Sequence, residues 1–355
     1  MHCPVHCFGG HILNGMKKMA CIGLMGFAGL VQAAGTGITA GQVTQNAVKW
    51  QQEPLSRQVL SDLATLHQTL ASYCKSDERS PDLSEVRTAF GKASVSWGAM
   101  RAAVFGPMLE FDTLRLIDFQ PTDPEMIHNA ALTKPHGEAD MILIGSAAKG
   151  FPALSWLLFQ KNIKPGQAEC NYAVEVTHDI TDTINSLDWR VHDDGDASEV
   201  NAEQSRALQS YFRQLVGGVH DLAWDGLEKP ELRIQQGSAP QWPSGDPAQA
   251  DAYLQQTWKA LRELLLMPDP AAAQDTAHTV ISLEAYLRSR GYSVVANHLH
   301  AQIVNVDAQF KRVQTKDTAS VNKTADALKV LQNLMQGEVS KTLGFKLNFV
   351  ALGDY

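Results

Sequence analysis

The sequence predicts an all-α protein built from two helical-bundle lobes. Three observations carry that expectation. Apolar residues recur three and four positions apart in segment after segment, the spacing of one helix face. No run alternates with period two for long, as a half-buried strand would. Proline-bearing breaks and a polar run fall between the stripes. With 355 residues, 44% of them hydrophobic, the chain is long enough for one large domain or two ordinary ones.

Taken in order, residues 1–34 form no part of the expected globule. From Met16 the sequence reads MKKMACIGLMGFAGLVQAAG, in which Lys17 and Lys18 precede an apolar run and then small residues, as in an export signal. Cleavage is expected near Ala33 or Ala34, and the preceding fifteen residues, MHCPVHCFGGHILNG, read as an upstream start-codon artefact and not as a Cys/His metal site. The apolar run is too short to span a bilayer, which takes about 20 residues, and no later segment approaches that length. Removing residues 1–34 deletes two lysines and no acid, which takes the formal charge from −8 to −10. Such an acidic chain without a basic cluster is not expected to bind nucleic acid, whose partners displace counterions with a Lys/Arg patch.

Two lobes are expected in the remainder, residues 35–196 and 197–355. In the first, Val59, Leu63, Leu66, Leu70 and Tyr73 make one stripe, and Val86, Phe90, Ala93, Trp97, Met100 and Val104 make a second. A third runs through Cys170, Ala173, Thr177, Ile180, Ile184 and Leu187. The second lobe carries Leu208, Phe212, Leu215, Val219 and Leu222, then Leu254, Trp258, Leu261 and Leu265. Val295, Leu299, Ile303, Val306, Phe310 and Val313 follow, with Leu328, Leu331, Met335 and Val339 last. The breaks are Ser80-Pro81, Gly106-Pro107, Lys164-Pro165-Gly166, the polar run His192 to Ala197, and the long loop Gln235 to Pro247.

Without the leader, Cys74 and Cys170 remain. An exported chain passes through an oxidising compartment, where such a pair forms a structural disulfide or stays as two buried thiols. The sequence has no G-x-S-x-G elbow, no P-loop and no H-E-x-x-H helix. Glu175, His178 and Asp182 are spaced for a bundle metal site. At about 100° per residue the trio centres opposite the apolar stripe of its own helix, which favours a solvated face. His136 and Glu138 lie in the loop KPHGEAD, and His298 and His300 in NHLH point to different sides of a helix.

Three ordered patterns resemble the imelysin-like family. The first is Trp97, then Phe105-Gly106-Pro107, Arg115, Ile117, Pro121 and Asp123; the second is the glycine-opened helix GFPALSWLLF at 150–159. The third is the terminus LGFKLNFVALGDY, with Leu343, Gly344, Asn348, Phe349 and Asp354 in register. The resemblance implies an exported all-α protein with a functional cleft between its lobes. It also implies a class first described as metallopeptidases and often linked with bacterial iron acquisition. The family motif is G-x-H-x-x-E, whose histidine and glutamate would supply a metal with nitrogen and carboxylate oxygen. Here Gly150 matches, but Pro152 and Ser155 stand in the ligand positions, and neither offers an equivalent donor. The resemblance therefore points to a non-catalytic periplasmic binding protein, with iron or zinc held weakly or not at all and uptake components of the periplasm or outer membrane as partners.

In that reading Trp97, Arg101, Arg115, Asp118, Gly150, Phe151, Pro152, Ser155 and Trp156 line or support the former site. Alternatively, the tryptophans are core, Arg115 pairs with Asp118, and Arg101 is a solvated helix residue. A rival reading is a metal-dependent hydrolase drawing on His136, Glu138, Glu175, His178 or Asp182.

Overall fold

Helix α1 (Ala40–Ala47) begins at a capping box in which Thr39 and Gln42 exchange hydrogen bonds. It runs through a π-helical turn, Val48–Gln52, into α2 (Glu53–Cys74). The turn places two buried glutamines where they can cross between elements: Gln51 donates to Ala260 O at 2.8 Å, and Gln52 donates to Met100 O and Ala103 O at 3.3 and 2.9 Å. The computed structural model describes residues 37–77, 82–189, 197–267 and 279–346. The expected leader, Ser80-Pro81, His192 to Asp196, and Asn348, Phe349 and Asp354 lie outside the described residues.

The chain continues through α3 (Ser84–Met100) and the short helices α4 (Pro107–Glu110), α5 (Thr113–Ile117), α6 (Pro124–Thr133), α7 (Gly137–Met141) and α8 (Gly150–Ser155) to α9 (Ala168–Asn185). Gly106, at φ +56°, makes the turn that Pro107 then converts into a helix start. The second half holds α10 (Ala197–Ala223), α11 (Lys229–Gln235), α12 (Ala250–Leu265), α13 (Leu283–Ser289), α14 (Ser293–Phe310), α15 (Thr318–Leu334) and α16 (Ser340–Leu343). Every element among the described residues is helical, as the periodicity predicts. The long loop expected at Gln235 to Pro247 follows α11 directly.

The predicted stripes are buried, and they sort into two apolar cores within one unit. Residues from Val59 to Leu187 make the first, chiefly from α2, α3, α8 and α9. Residues from Leu208 to Val339 make the second, and Val43, Ala47 and Val48 join it although they open the first half of the chain. Helix α1 packs on α10, with Val43, Ala47 and Val48 buried. Cys74 and Cys170 form a disulfide with Cα atoms 5.6 Å apart, tying the end of α2 to the start of α9.

The cores meet along α3 and α12, where glycines of α3 make room for larger side chains. A Cβ at Gly98 would lie 2.5 Å from the Tyr253 ring, and one at Gly91 would lie 2.6 Å from Gln249. Between them Ser94 donates to Ser244 O at 2.6 Å. On α10, a Cβ at Gly218 would fall 1.9 Å from Ala102 O, a backbone atom that cannot swing aside.

Candidate functional site

The end of α3 presents Trp97 and Arg101 one helical turn apart, and both converge on one carboxylate. Trp97 Nε1 donates to Asp118 Oδ2 at 2.9 Å, and Arg101 pairs with the same oxygen at 2.9 Å. Asp118 is the residue that ends α5. Helix α8 completes the first-core side: Gly150, at φ +80°, packs so closely on Ile117 that a Cβ would lie 2.4 Å from its carbonyl oxygen. That approach lays Phe151 flat on Trp97, with ring centroids 5.5 Å apart and planes 12° apart.

From the second core come Tyr253 of α12, with its hydroxyl 3.5 Å from the Arg101 guanidinium, and Asp221 of α10. Asp225 follows in a π-helical turn, Trp224–Glu228, and pairs with Lys229 at 3.2 Å. Arg101, Gly218, Asp221, Asp225, Tyr253 and Thr257 line a small cavity of about 30 Å³, room for one or two waters. No hydrogen bond or ion pair to Asp221 is found among the described residues, so its carboxylate borders this space without a direct partner.

Burial sets the electrostatics. It raises the pKa of Asp118 despite Arg101 and the Trp97 hydrogen bond, with Asp225 adding to the rise. Burial also raises Asp221, partly offset by Arg101. Tyr253 is pushed up to about 12 by burial. Burial opposes the charge of Arg101, but Asp118, then Tyr253 and Asp221, outweigh it and hold the guanidinium protonated. The arrangement is a cation shared by two helical cores. It is suited to fixing their contact or to greeting a small polar ligand, and it offers no activated nucleophile.

Other residues expected at the site stand differently. Arg115 is exposed and pairs with Asp112 at 2.5 Å, whereas Asp118 is buried with Arg101 and Trp97. Pro152 is half-buried in the first turn of α8, where its missing N–H has no helical acceptor to lose. Ser155 turns toward the second half and donates to Gly245 O at 2.9 Å. Trp156 is half-buried against the first core.

The metal candidates meet only in pairs. His136 pairs with Glu175 at 3.2 Å, His178 pairs with Asp182 at 2.9 Å, and Glu138 is exposed. His298 and His300 pair separately with Glu338 and Glu284. Among the described residues no three His, Cys, Asp or Glu side chains are grouped to hold an ion. Tyr253, Asp221 and Asp225 were not among the sequence candidates. The available signal was glycine inside helical patterns, at Gly98 and Gly218, which marks close approach of another chain segment.

A family model for imelysin matches residues 56–340. The chain belongs to the imelysin family. Solved structures of the same fold include an imelysin-like protein from Psychrobacter arcticum 273-4, 17% identical, with a TM-score of 0.66 over 88% of this chain and 98% of that one. A putative iron-regulated protein A precursor from Parabacteroides distasonis ATCC 8503 is 14% identical, with a TM-score of 0.58 over 87% and 97%. No curated protein matches the sequence. The imelysin match spans both cores, so the seam holding Arg101 lies inside the family's common fold. No helix among the described residues is long and apolar enough to cross a membrane.

Proposed function

We propose that this imelysin is an exported, non-catalytic binding or interaction protein that works alongside iron or other metal uptake in the periplasm. The observation that carries the reading is what fills the family's motif. Proline has no donor atom at position 152, and the Ser155 hydroxyl is already spent on Gly245 O. A Cβ at Gly245 would lie 2.7 Å from Ser155 Oγ, which measures how little space surrounds that side chain. A metal in the family's manner does not fit these residues, and no hydrolytic step is derived through one. The iron association draws support from the structurally similar Parabacteroides protein, a putative iron-regulated protein A precursor.

The experiment is metal analysis of the purified, untagged protein with activity measured on peptide substrates. The non-catalytic reading predicts no peptidase activity with added zinc or iron. Stoichiometric metal held below micromolar concentration, with turnover lost in His136→Ala or His178→Ala, would overturn it.

A further inference from the structure

A second place on the molecule, unrelated to the seam, brings two imidazoles together across helices. His67 of α2 and His178 of α9 have ring centroids 6.2 Å apart, with planes tilted by 55°. They are far apart in sequence, and no spacing rule joins them. Imidazole nitrogens about 2 Å from a shared ion put their ring centres roughly 5 to 6 Å apart, close to the separation observed. We propose that His67 and His178 form a solvent-completed site for a borderline divalent cation such as zinc or copper.

Two further features support the pair as a site. The Nδ1 of His178 lies 2.9 Å from Asp182 Oδ2, one turn along the same helix. Such a carboxylate fixes the tautomer and turns the other nitrogen, Nε2, outward as a ligand atom. Asp182 is thus a positioning residue and not a ligand. The helices that carry the pair are also held together: seven residues beyond His67 and eight before His178, the chain reaches the Cys74–Cys170 disulfide. A braced pair loses little freedom when it closes on an ion.

The chemistry decides the class of cation. Neutral imidazole suits zinc, copper and nickel, whereas magnesium and calcium take oxygen ligands. Two protein nitrogens leave the remaining positions to water, so the site would exchange its ion and would not bury it. The nearest other charged pairs are occupied among themselves, since Asp179 is buried against Lys149 and Glu175 holds His136.

The test is a zinc titration of the full chain, read by calorimetry and by the thermal unfolding midpoint, with magnesium as the control. An ion bridging α2 and α9 raises the midpoint, because it binds the folded state alone. Zinc held equally by the folded and unfolded chain does not. His67→Ala and His178→Ala should each abolish the rise, while His298→Ala leaves it intact. Asp182→Asn keeps both imidazoles and should weaken binding about 10- to 100-fold. It also decides the matter should an alanine variant fail to fold. A rise that survives His67→Ala, the absence of a rise at millimolar zinc, or unchanged affinity in Asp182→Asn would each overturn the assignment.

Discussion

Two helix seams in this molecule are built on opposite plans. Where α2 meets α9, the contact is large and apolar: Leu63, Leu66 and Leu70 share one core with Ala173, Val176 and Ile180, and a disulfide closes the end. Where α3 meets α12, the contacting residues are small or polar. Gly98 makes room for the Tyr253 ring, Gly91 and Ser94 meet the segment that leads into α12, and an arginine with its carboxylates sits at the end of the seam. The first plan draws its stability from removing apolar area from water. The second depends on steric fit and on a buried charge whose partners must all be present. The first seam should therefore tolerate change gradually, and the second should fail sharply.

Asp118→Ala tests the sharp failure. It would strip Arg101 of its ion-pair partner and Trp97 Nε1 of its acceptor at once. Breaking a buried pair by removing one partner costs about 3–5 kcal/mol, to be read from urea unfolding. A loss below about 1 kcal/mol would mean that water already screens this pair. On the apolar seam, replacing Cys74 and Cys170 by serine opens a loop of 96 residues. The expected loss is about 2–5 kcal/mol, with the helices still formed by circular dichroism.

How far each seam could be read from sequence follows from the same difference. The stripes of α2, α9, α10 and α14 span several turns, so their period stands out and the all-α fold is legible. Helices α4, α5, α7 and α8 have four to six residues, too few to repeat a 3.6-residue period even twice. The seam between the cores is written in Gly91, Ser94 and Gly98, which add nothing to a hydrophobic stripe. Trp97, Arg101, Asp118 and Phe151 were reachable through the family pattern. Asp221, Asp225 and Tyr253 were not, because acids and a tyrosine on distant helices read as ordinary surface or core until folding brings them to Arg101.

Ser155→Glu restores the family's carboxylate at the edge of the polar seam. If Ser155 is now a seam residue, the longer side chain displaces the Gly245 loop and loses the 2.9 Å hydrogen bond. Overpacking of this kind costs about 1–3 kcal/mol. Zinc should not rescue the variant, since Pro152 supplies no second ligand. Rescue by zinc would show that the motif can still be rebuilt and that the site remains open.

The smallest effect concerns Asp221, and its sign separates the seam from the rest of the protein. Its folded-state pKa is raised, by burial above all, so the folded chain binds that proton more readily than the unfolded chain. Stability from this group is therefore fully present below the ordinary aspartate pKa of about 3.9 and is lost as pH rises through the raised folded value. Glu284 in the second core runs the other way. Burial opposes its charge, but the hydrogen bonds from Arg288, Met267 N–H and His300 win and lower its pKa, so its contribution is lost as pH falls. Asp221→Asn cannot ionise and has no charge to desolvate. It should be more stable than the wild type at pH 7, by about 1 kcal/mol or less, and indistinguishable from it well below the ordinary aspartate range. Melting temperatures across that range decide it: a variant less stable at pH 7 would show that the Asp221 carboxylate holds Arg101 in place, and that the seam needs both of its acids.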